Sequence, residues 1–298
     1  LIYNFVSNKY VKYIVPPVVI ILLAIVPFYF VSTKKEIVKV PKNELFPVML
    51  WIKENIMKNL KDSNNKPVSA ILTDPQYGDW FVYDSEIPTV ANSSIPRSGN
   101  GRGRRQWANF VLSSDESKAI AELESIKIQY ILISKDTDYN FAKTLVSSNF
   151  IVAESIKLLG ETLDTVYEDS GRLLISPRSQ LRLIYASSPN LKTAKFKIFE
   201  IVKGAIIEGN ANPNSTIKIT LPLEIKAVNG NGKFFYQTST QTNVLGRYKV
   251  TVPYSTSSIV GQIYSAKIYD IFYSGESKVT PVDEDRVQKG RQIGRAHV

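Results

Sequence analysis

The chain has 298 residues and a formal net charge of +10, with 44% hydrophobic and 21% charged residues. That length admits two domains, and the composition is neither disordered nor low-complexity. There is no cysteine, and the one histidine, His297, is the second-last residue, so disulfides, thiolate metal sites, Cys nucleophiles and an internal His base or triad are all excluded. The basic balance suits a phosphate-bearing partner, an anionic membrane or merely a basic surface, and charge alone does not choose among them.

The chain starts at Leu1 within an apolar-aromatic stretch and ends in Ile293-Gly294-Arg295-Ala296-His297-Val298. This ending is similar to the translated read-through of a short-read sequencing adapter. Residues 291–298 are expected to be such a tail and both ends truncations.

Lys12 and Lys34 bracket the uncharged run 13–33. At 1.5 Å per residue it would reach about 31 Å, the thickness of a hydrocarbon core. Pro16, Pro17 and Pro27 are tolerable in a transmembrane helix, and Tyr13, Phe28, Tyr29 and Phe30 suit interfacial belts. The pattern predicts a membrane helix over about 13–33, with flanks making up 1–43. A signal peptide is the rival reading, and the run is long for its apolar core. Lys34, Lys35, Lys39 and Lys42 outnumber Lys9 and Lys12, which taken alone puts the downstream domains in the cytoplasm, although large domains translocate largely regardless of charge.

Residues 44–60 read as an amphipathic helix on Met49, Ile52, Ile56 and Leu60, with Pro47 in its first turn. A loop at 61–67, a strand at 68–73 broken by Asp74-Pro75, and a second strand, WFVY, at 80–83 come next. Residues 91–105 form a polar loop rich in Gly and Arg. Ser113-x-x-Glu116 reads as a capping box opening a helix on Ala119, Ile120, Leu123 and Ile126. A buried strand at 128–134 and a helix from Tyr139 to Ser148 complete an alternation that predicts a mixed α/β domain over 44–180.

From 181 the helical period disappears. Short strand-like runs separated by turns, with Asn229-Gly230 and Asn231-Gly232 as hairpin signals, predict a β-sandwich over 181–290. Phe234, Phe235, Tyr236, Tyr248 and Tyr254 fit either a sugar-stacking face or, more simply, its core.

Arg97, Arg102, Arg104 and Arg105 in IPRSGNGRGRRQW form a basic loop able to hold phosphate, that of a lipid-linked donor or a lipid headgroup, against the plainer reading of a solvated loop. The stacking platforms of RNA binders are missing, and no nucleic acid is expected. Asn92-Ser93-Ser94 and Asn214-Ser215-Thr216 are glycosylation sequons, and Asp283-Glu284-Asp285-Arg286 reads as a surface turn rather than a metal site.

The order of these elements resembles one family. The helix Leu50-Trp51-Ile52-Lys53-Glu54-Asn55, the strand Ala70-Ile71-Leu72-Thr73, then Gln76-Tyr77-Gly78, Leu112-Ser113-Ser114-Asp115-Glu116 and Tyr130-Ile131-Leu132 look like the catalytic subunit of oligosaccharyltransferase. The segments 196–205 and 246–255 look like the extra β-domain of its archaeal, AglB-type branch. The resemblance covers about residues 10–290. It implies a membrane-anchored chain with one transmembrane helix, a small mixed α/β domain and an Ig-like or transthyretin-like β-sandwich. It also implies transfer of a lipid-linked oligosaccharide to Asn of N-x-S/T sequons, with lipid-linked oligosaccharide, acceptor polypeptide and membrane as partners. A divalent metal, Mn or Mg, would serve the full-length enzyme and sit outside this fragment, which would be inactive alone, at the cell membrane with its domains extracytoplasmic. Family members carry Trp-Trp-Asp-Tyr-Gly where this chain has Asp74-Pro75-Gln76-Tyr77-Gly78. Asp74, Gln76, Tyr77 and Gly78 are therefore the implied acceptor-binding residues, joined by Asp138 and Lys143 downstream, although the five-residue spacing of that pair departs from the family's three. The altered motif keeps open a second reading, a non-catalytic membrane-anchored paralogue that binds or supports.

Overall fold

Residues 42–83, 85–90, 102–113, 115–136, 166–175, 177–257, 259–265 and 267–293 are described by a computed structural model. The chain divides into two units, Leu1–Lys42 and Asn43–Val298, and the described elements belong to the second apart from Lys42. Helix α1 (Lys42–Asn55) and the single turn α2 (Met57–Leu60) carry the expected apolar stripe, for Met49, Ile52, Ile56 and Leu60 are all buried. At Ile56 the backbone leaves helical geometry, at φ −125° and ψ −7°, and the stripe continues across the break.

Strand β1 (Ala70–Leu72) runs parallel to β2 (Ile128–Ser134). Between them the chain makes α3 (Pro75–Tyr83), α4 (Arg102–Leu112) and α5 (Glu116–Ser125). The stretch WFVY, expected as a strand, lies in α3. Its aromatic and β-branched residues favour strands, yet Pro75 is preset for a first helical turn and Tyr77 and Phe81 bury one helical face four residues apart.

The expected basic loop over 91–105 is corrected in its described part, while residues 91–101 lie outside the described residues. Helix α4 begins inside it at Arg102, because Trp107, Phe110 and Val111 form a buried face that carries the preceding turn with it. Gly103 makes this possible: a Cβ there would stand 1.9 Å from the Val90 carbonyl oxygen. The capping box is also rearranged. Asp115 is the N-cap, accepting from Lys118 N–H at 3.0 Å. Glu116 instead accepts from the N–H groups of Ser179 and Gln180, both at 3.0 Å, and ties α5 to a segment more than sixty residues away.

After β3 (Val166–Asp169) and β4 (Arg172–Ile175), β5 (Leu181–Ala186) and β6 (Phe196–Ile201) join the first sheet, in the order β1-β2-β6-β5, with β6 antiparallel to both neighbours. The strand-rich stretch read from 181 thus contributes its first two strands to the α/β sheet. Beyond them come β7 (Ala205–Asn210), β8 (Thr216–Ala227), β9 (Gly230–Gln241), β10 (Arg247–Val252), β11 (Ile259–Val260), β12 (Ile263–Ser265), β13 (Tyr269–Tyr273) and β14 (Glu276–Thr280). Strands β7 and β10 pair by themselves, while the larger sheet runs β11-β12-β8-β9-β4-β3, with β13 also pairing β8 and β14. The long β8–β9 hairpin turns on Val228-Asn229, one residue before the expected Asn-Gly pair, and Gly230 takes φ +127°. Phe234, Tyr236, Tyr248 and Tyr254 are buried, the core alternative of the two readings. One hydrophobic cluster runs from Leu72 and Trp107 through Leu183 and Phe199 to Ile219, Tyr236 and Val287.

The last described helix, α6 (Glu284–Lys289), is capped by Asp283 and closed by Gly290 in the left-handed region. The carboxylates read as a surface turn are its cap and first turn.

Residues 13–33, expected as a membrane helix, lie outside the described residues, as do the Tyr139–Ser148 helix and Asn92-Ser93-Ser94. Among the described residues no helix is long and apolar enough to cross a membrane. The membrane-anchored fold class is corrected accordingly: the described chain is mostly β with six helices. The expected localisation behind a single span is corrected with it, since among the described residues no helix can cross a membrane.

Candidate functional site

Where β1 ends, Thr73 and Asp74 are buried and the chain turns straight into α3. Asp74 Oδ1 accepts the Gln76 N–H at 3.2 Å, and the Asp74 carbonyl accepts the Tyr77 N–H at 3.0 Å. Asp74 thereby satisfies the donors that a helix start leaves open. Pro75, lacking an N–H, occupies the first helical position, where none is needed. Asp74, Gln76, Tyr77 and Gly78 are brought together at the start of a helix rather than on the tight turn that Asp74-Pro75 and Gly78 suggest. Gln76 is half-buried, and its Nε2 is buried with no hydrogen-bond partner among the described residues.

Tyr77 fixes this turn to the sheet. Its hydroxyl lies 3.0 Å from Ser134 Oγ at the end of β2, and its ring meets Phe196 of β6 edge-on, with centroids 5.3 Å apart. Ser134 Oγ also accepts the Asp136 N–H at 3.1 Å. Lys195, preceding Phe196, pairs with Asp136 at 3.1 Å and with Glu44 of α1 at 2.8 Å. Burial pushes the Tyr77 hydroxyl above its ordinary pKa, the Ser134 hydrogen bond works against this, and the Asp136 and Asp74 carboxylates reinforce it. The Glu44 hydrogen bond raises the Lys195 ammonium, with Asp136 adding to it and partial burial opposing. Tyr77 is thus held neutral and Lys195 cationic at neutral pH.

The other expected site residues are less well placed. Asp138, Lys143 and Arg97 lie outside the described residues. Arg102, Arg104 and Arg105 fall in the first turn of α4, and Arg105 is exposed. Ser134, Asp136, Lys195 and Glu44 were not expected. Only Ser134 had a visible signal, as the polar end of an otherwise apolar strand. The rest depend on pairings between segments distant in sequence.

The arrangement offers a carboxylate, a carboxamide and a neutral phenol on one rigid turn, suited to hydrogen-bonding a polar ligand. Among the described residues no three His, Cys, Asp or Glu side chains converge, so these residues do not fit a divalent-ion site.

Residues 204–293 match the sequence profile of the archaeal glycosylation protein B long peripheral domain. No curated protein sequence matches the chain. Among solved structures, it is similar to the Archaeoglobus fulgidus oligosaccharyltransferase tethered with an acceptor peptide containing the NVT sequon. The TM-score is 0.59 at 15% identity, over 86% of this chain and 43% of that one. It is also similar to the A. fulgidus AglB in complex with an inhibitory peptide and a dolichol-phosphate, with TM-score 0.57, 16% identity, and 85% and 43% of the two chains. The A. fulgidus enzyme in complex with Zn and sulfate gives TM-score 0.58 at 16% identity, over 99% and 52%. The chain therefore spans about half the length of these proteins or less, and at such identities the likeness is one of fold. Residues 204–293 are therefore similar to the archaeal glycosylation protein B long peripheral domain, and the fold along most of the chain is similar to that of the A. fulgidus oligosaccharyltransferase.

Proposed function

We propose that this region supplies acceptor-side recognition in an oligosaccharyltransferase that moves a lipid-linked oligosaccharide onto Asn of N-x-S/T sequons. The supporting observation is the turn Asp74–Gly78, where a buried carboxylate and a half-buried carboxamide with an unmatched Nε2 are held rigid by Tyr77 and Ser134. In this reading Gln76 Oε1 accepts the +2 hydroxyl proton of the sequon and Nε2 donates to an acceptor backbone carbonyl, while Asp74 provides negative charge beside them. Asp138 and Lys143, outside the described residues, are proposed to take part in the same recognition. A divalent metal, Mn or Mg, would polarise the acceptor amide and the leaving phosphate from elsewhere in the full-length enzyme. Arg97, Arg102, Arg104 and Arg105 are proposed to meet the phosphate of the lipid-linked donor, so Ser at 102, 104 and 105 should weaken donor binding and its salt dependence.

One observation favours a second reading. Asp74-Pro75-Gln76 replaces the aromatic pair and carboxylate of the family motif, as in a paralogue that binds polypeptide without catalysing transfer. A transfer assay on the full-length protein, with lipid-linked donor, divalent metal and peptides bearing Thr or Ala at +2, separates the two. Transfer selective for Thr supports the enzyme. Binding without transfer supports the paralogue.

A further inference from the structure

Beside the acceptor turn, on the far side of Phe196, lies a pocket of about 360 Å³. It sits between α1, the β5–β6 connection and the tip of the β8–β9 hairpin, and Glu44, Tyr185, Lys195, Val228, Asn229 and Gln262 are among its walls. That volume falls in the range of ligand sites. Its chemistry is particular. Tyr185 is buried, with Trp51 packed on its ring at 4.8 Å between centroids, and its hydroxyl has no hydrogen bond among the described residues. Gln262 Oε1 accepts the Ala186 N–H at 3.2 Å, which leaves its Nε2 donors for a ligand. Asn229 is exposed at the hairpin tip, next to Val228, which is 93% exposed and forms an apolar lip.

The aromatic rings are buried and present no face for stacking a sugar. What the pocket does present is side-chain amides, a hydroxyl, one apolar lip and a charged pair, the groups that bind a stretch of polypeptide. It is also joined to the acceptor turn. Lys195 and Phe196 line it, and Phe196 packs on Tyr77 while Lys195 holds Asp136, whose N–H bonds Ser134.

We infer that this pocket is a subsite for acceptor polypeptide flanking the sequon, so that the chain reads more of its substrate than the N-x-S/T triplet. The inference rests on the proposed acceptor-side function and extends it to neighbouring residues. Asn229 and Gln262 bond the flanking backbone, and Val228 covers one of its side chains.

The test uses the full chain, a capped Asn-x-Thr tripeptide, and a longer peptide extended on both sides. Affinities are measured by displacement of a fluorescent copy of the longer one. The Asn229→Trp variant narrows the mouth, and Asn229→Ala removes one amide. Both sit on an exposed hairpin tip, and unfolding temperatures confirm an intact fold. The longer peptide is expected to bind wild type more tightly than the tripeptide. Each variant should weaken the longer peptide, roughly three- to tenfold for the lost amide, with the tripeptide unchanged. Unchanged affinity for both peptides, or an equal loss for both, overturns the subsite. A longer peptide with Ala at +2 that binds as well as the Thr version, while still sensitive to Asn229, overturns the sequon reading and leaves the pocket standing.

Discussion

Arg182 on β5 and Glu284 on α6 are 102 residues apart in sequence and meet as a two-pronged pair, Nη1 to Oε2 at 2.9 Å and Nη2 to Oε1 at 2.8 Å. The same guanidinium bonds Glu200 of β6 at 2.9 Å through Nε and 2.7 Å through Nη2. A buried cation thereby joins the α/β sheet to the C-terminal helix. Removing one partner of such a group leaves the other charges uncompensated, so Arg182→Ala should cost about 3–5 kcal/mol in urea unfolding. Glu284→Gln should cost less, since Glu200 remains.

The same pair sets an acid response. Burial alone would raise the Glu284 carboxyl, but the Arg182 hydrogen bonds and charge outweigh it and hold it below its ordinary 4.5. A carboxylate with a depressed folded pKa contributes stability above its unfolded value and loses it as pH falls through the folded one. Unfolding free energy should therefore drop below about pH 4.5 in wild type. The drop should be shallower in Glu284→Gln when urea midpoints are compared across that range.

At high pH the tyrosines act in the opposite sense. Burial pushes Tyr130 and Tyr185 up to about 12, so the folded chain favours the neutral phenol. Their contribution is complete below the unfolded pKa of 10.0 and is lost as pH rises through the folded values. A spectrophotometric titration should show these phenols ionising late, near pH 12 or together with unfolding. Normal ionisation near 10 in a folded chain would contradict their burial.

Helix α4 depends on its glycine. A Cβ at position 103 would fall 1.9 Å from the Val90 carbonyl oxygen, a backbone atom with little freedom to retreat. Gly103→Ala should thus lower stability by about 1–3 kcal/mol by overpacking, despite alanine's better helix propensity. Thermal unfolding measures this directly, and a stabilised variant would show that the helix does not approach residue 90 so closely.

How much was legible in the sequence depends on the range of each interaction. The α1 stripe and the apolar run of β2 are local patterns, and both appear where their spacing put them. WFVY was ambiguous because four apolar residues are too few to separate a strand from a helix. The answer lay upstream in Asp74-Pro75 and in the burial of Tyr77. The sheet membership of β5 and β6 was illegible, since strand composition does not say which partner a strand finds. The site divides in the same way. Gln76-Tyr77-Gly78 was visible as a short run after a strand, whereas the Ser134 hydroxyl and the Glu44–Lys195–Asp136 chain arise only from folding.

That hydroxyl contact separates positioning from recognition at the Asp74–Gly78 turn, if the turn reads an acceptor as proposed. Tyr77→Phe keeps the ring against Phe196 and removes only the hydrogen bond to Ser134, a loss of about 0.5–1.5 kcal/mol in stability. Gln76→Ala removes no hydrogen bond among those described and should leave stability nearly unchanged. If Gln76 takes the +2 hydroxyl proton, its loss should lower kcat/KM for a Thr-bearing sequon peptide by the worth of one neutral hydrogen bond, roughly two- to tenfold. The same substitution should hardly affect a peptide with Ala at +2, which has no hydroxyl to lose. Tyr77→Phe, acting through the whole turn, should lower both peptides together. An equal loss on both peptides from Gln76→Ala would assign Gln76 to the support of the turn and leave the hydroxyl to Asp74.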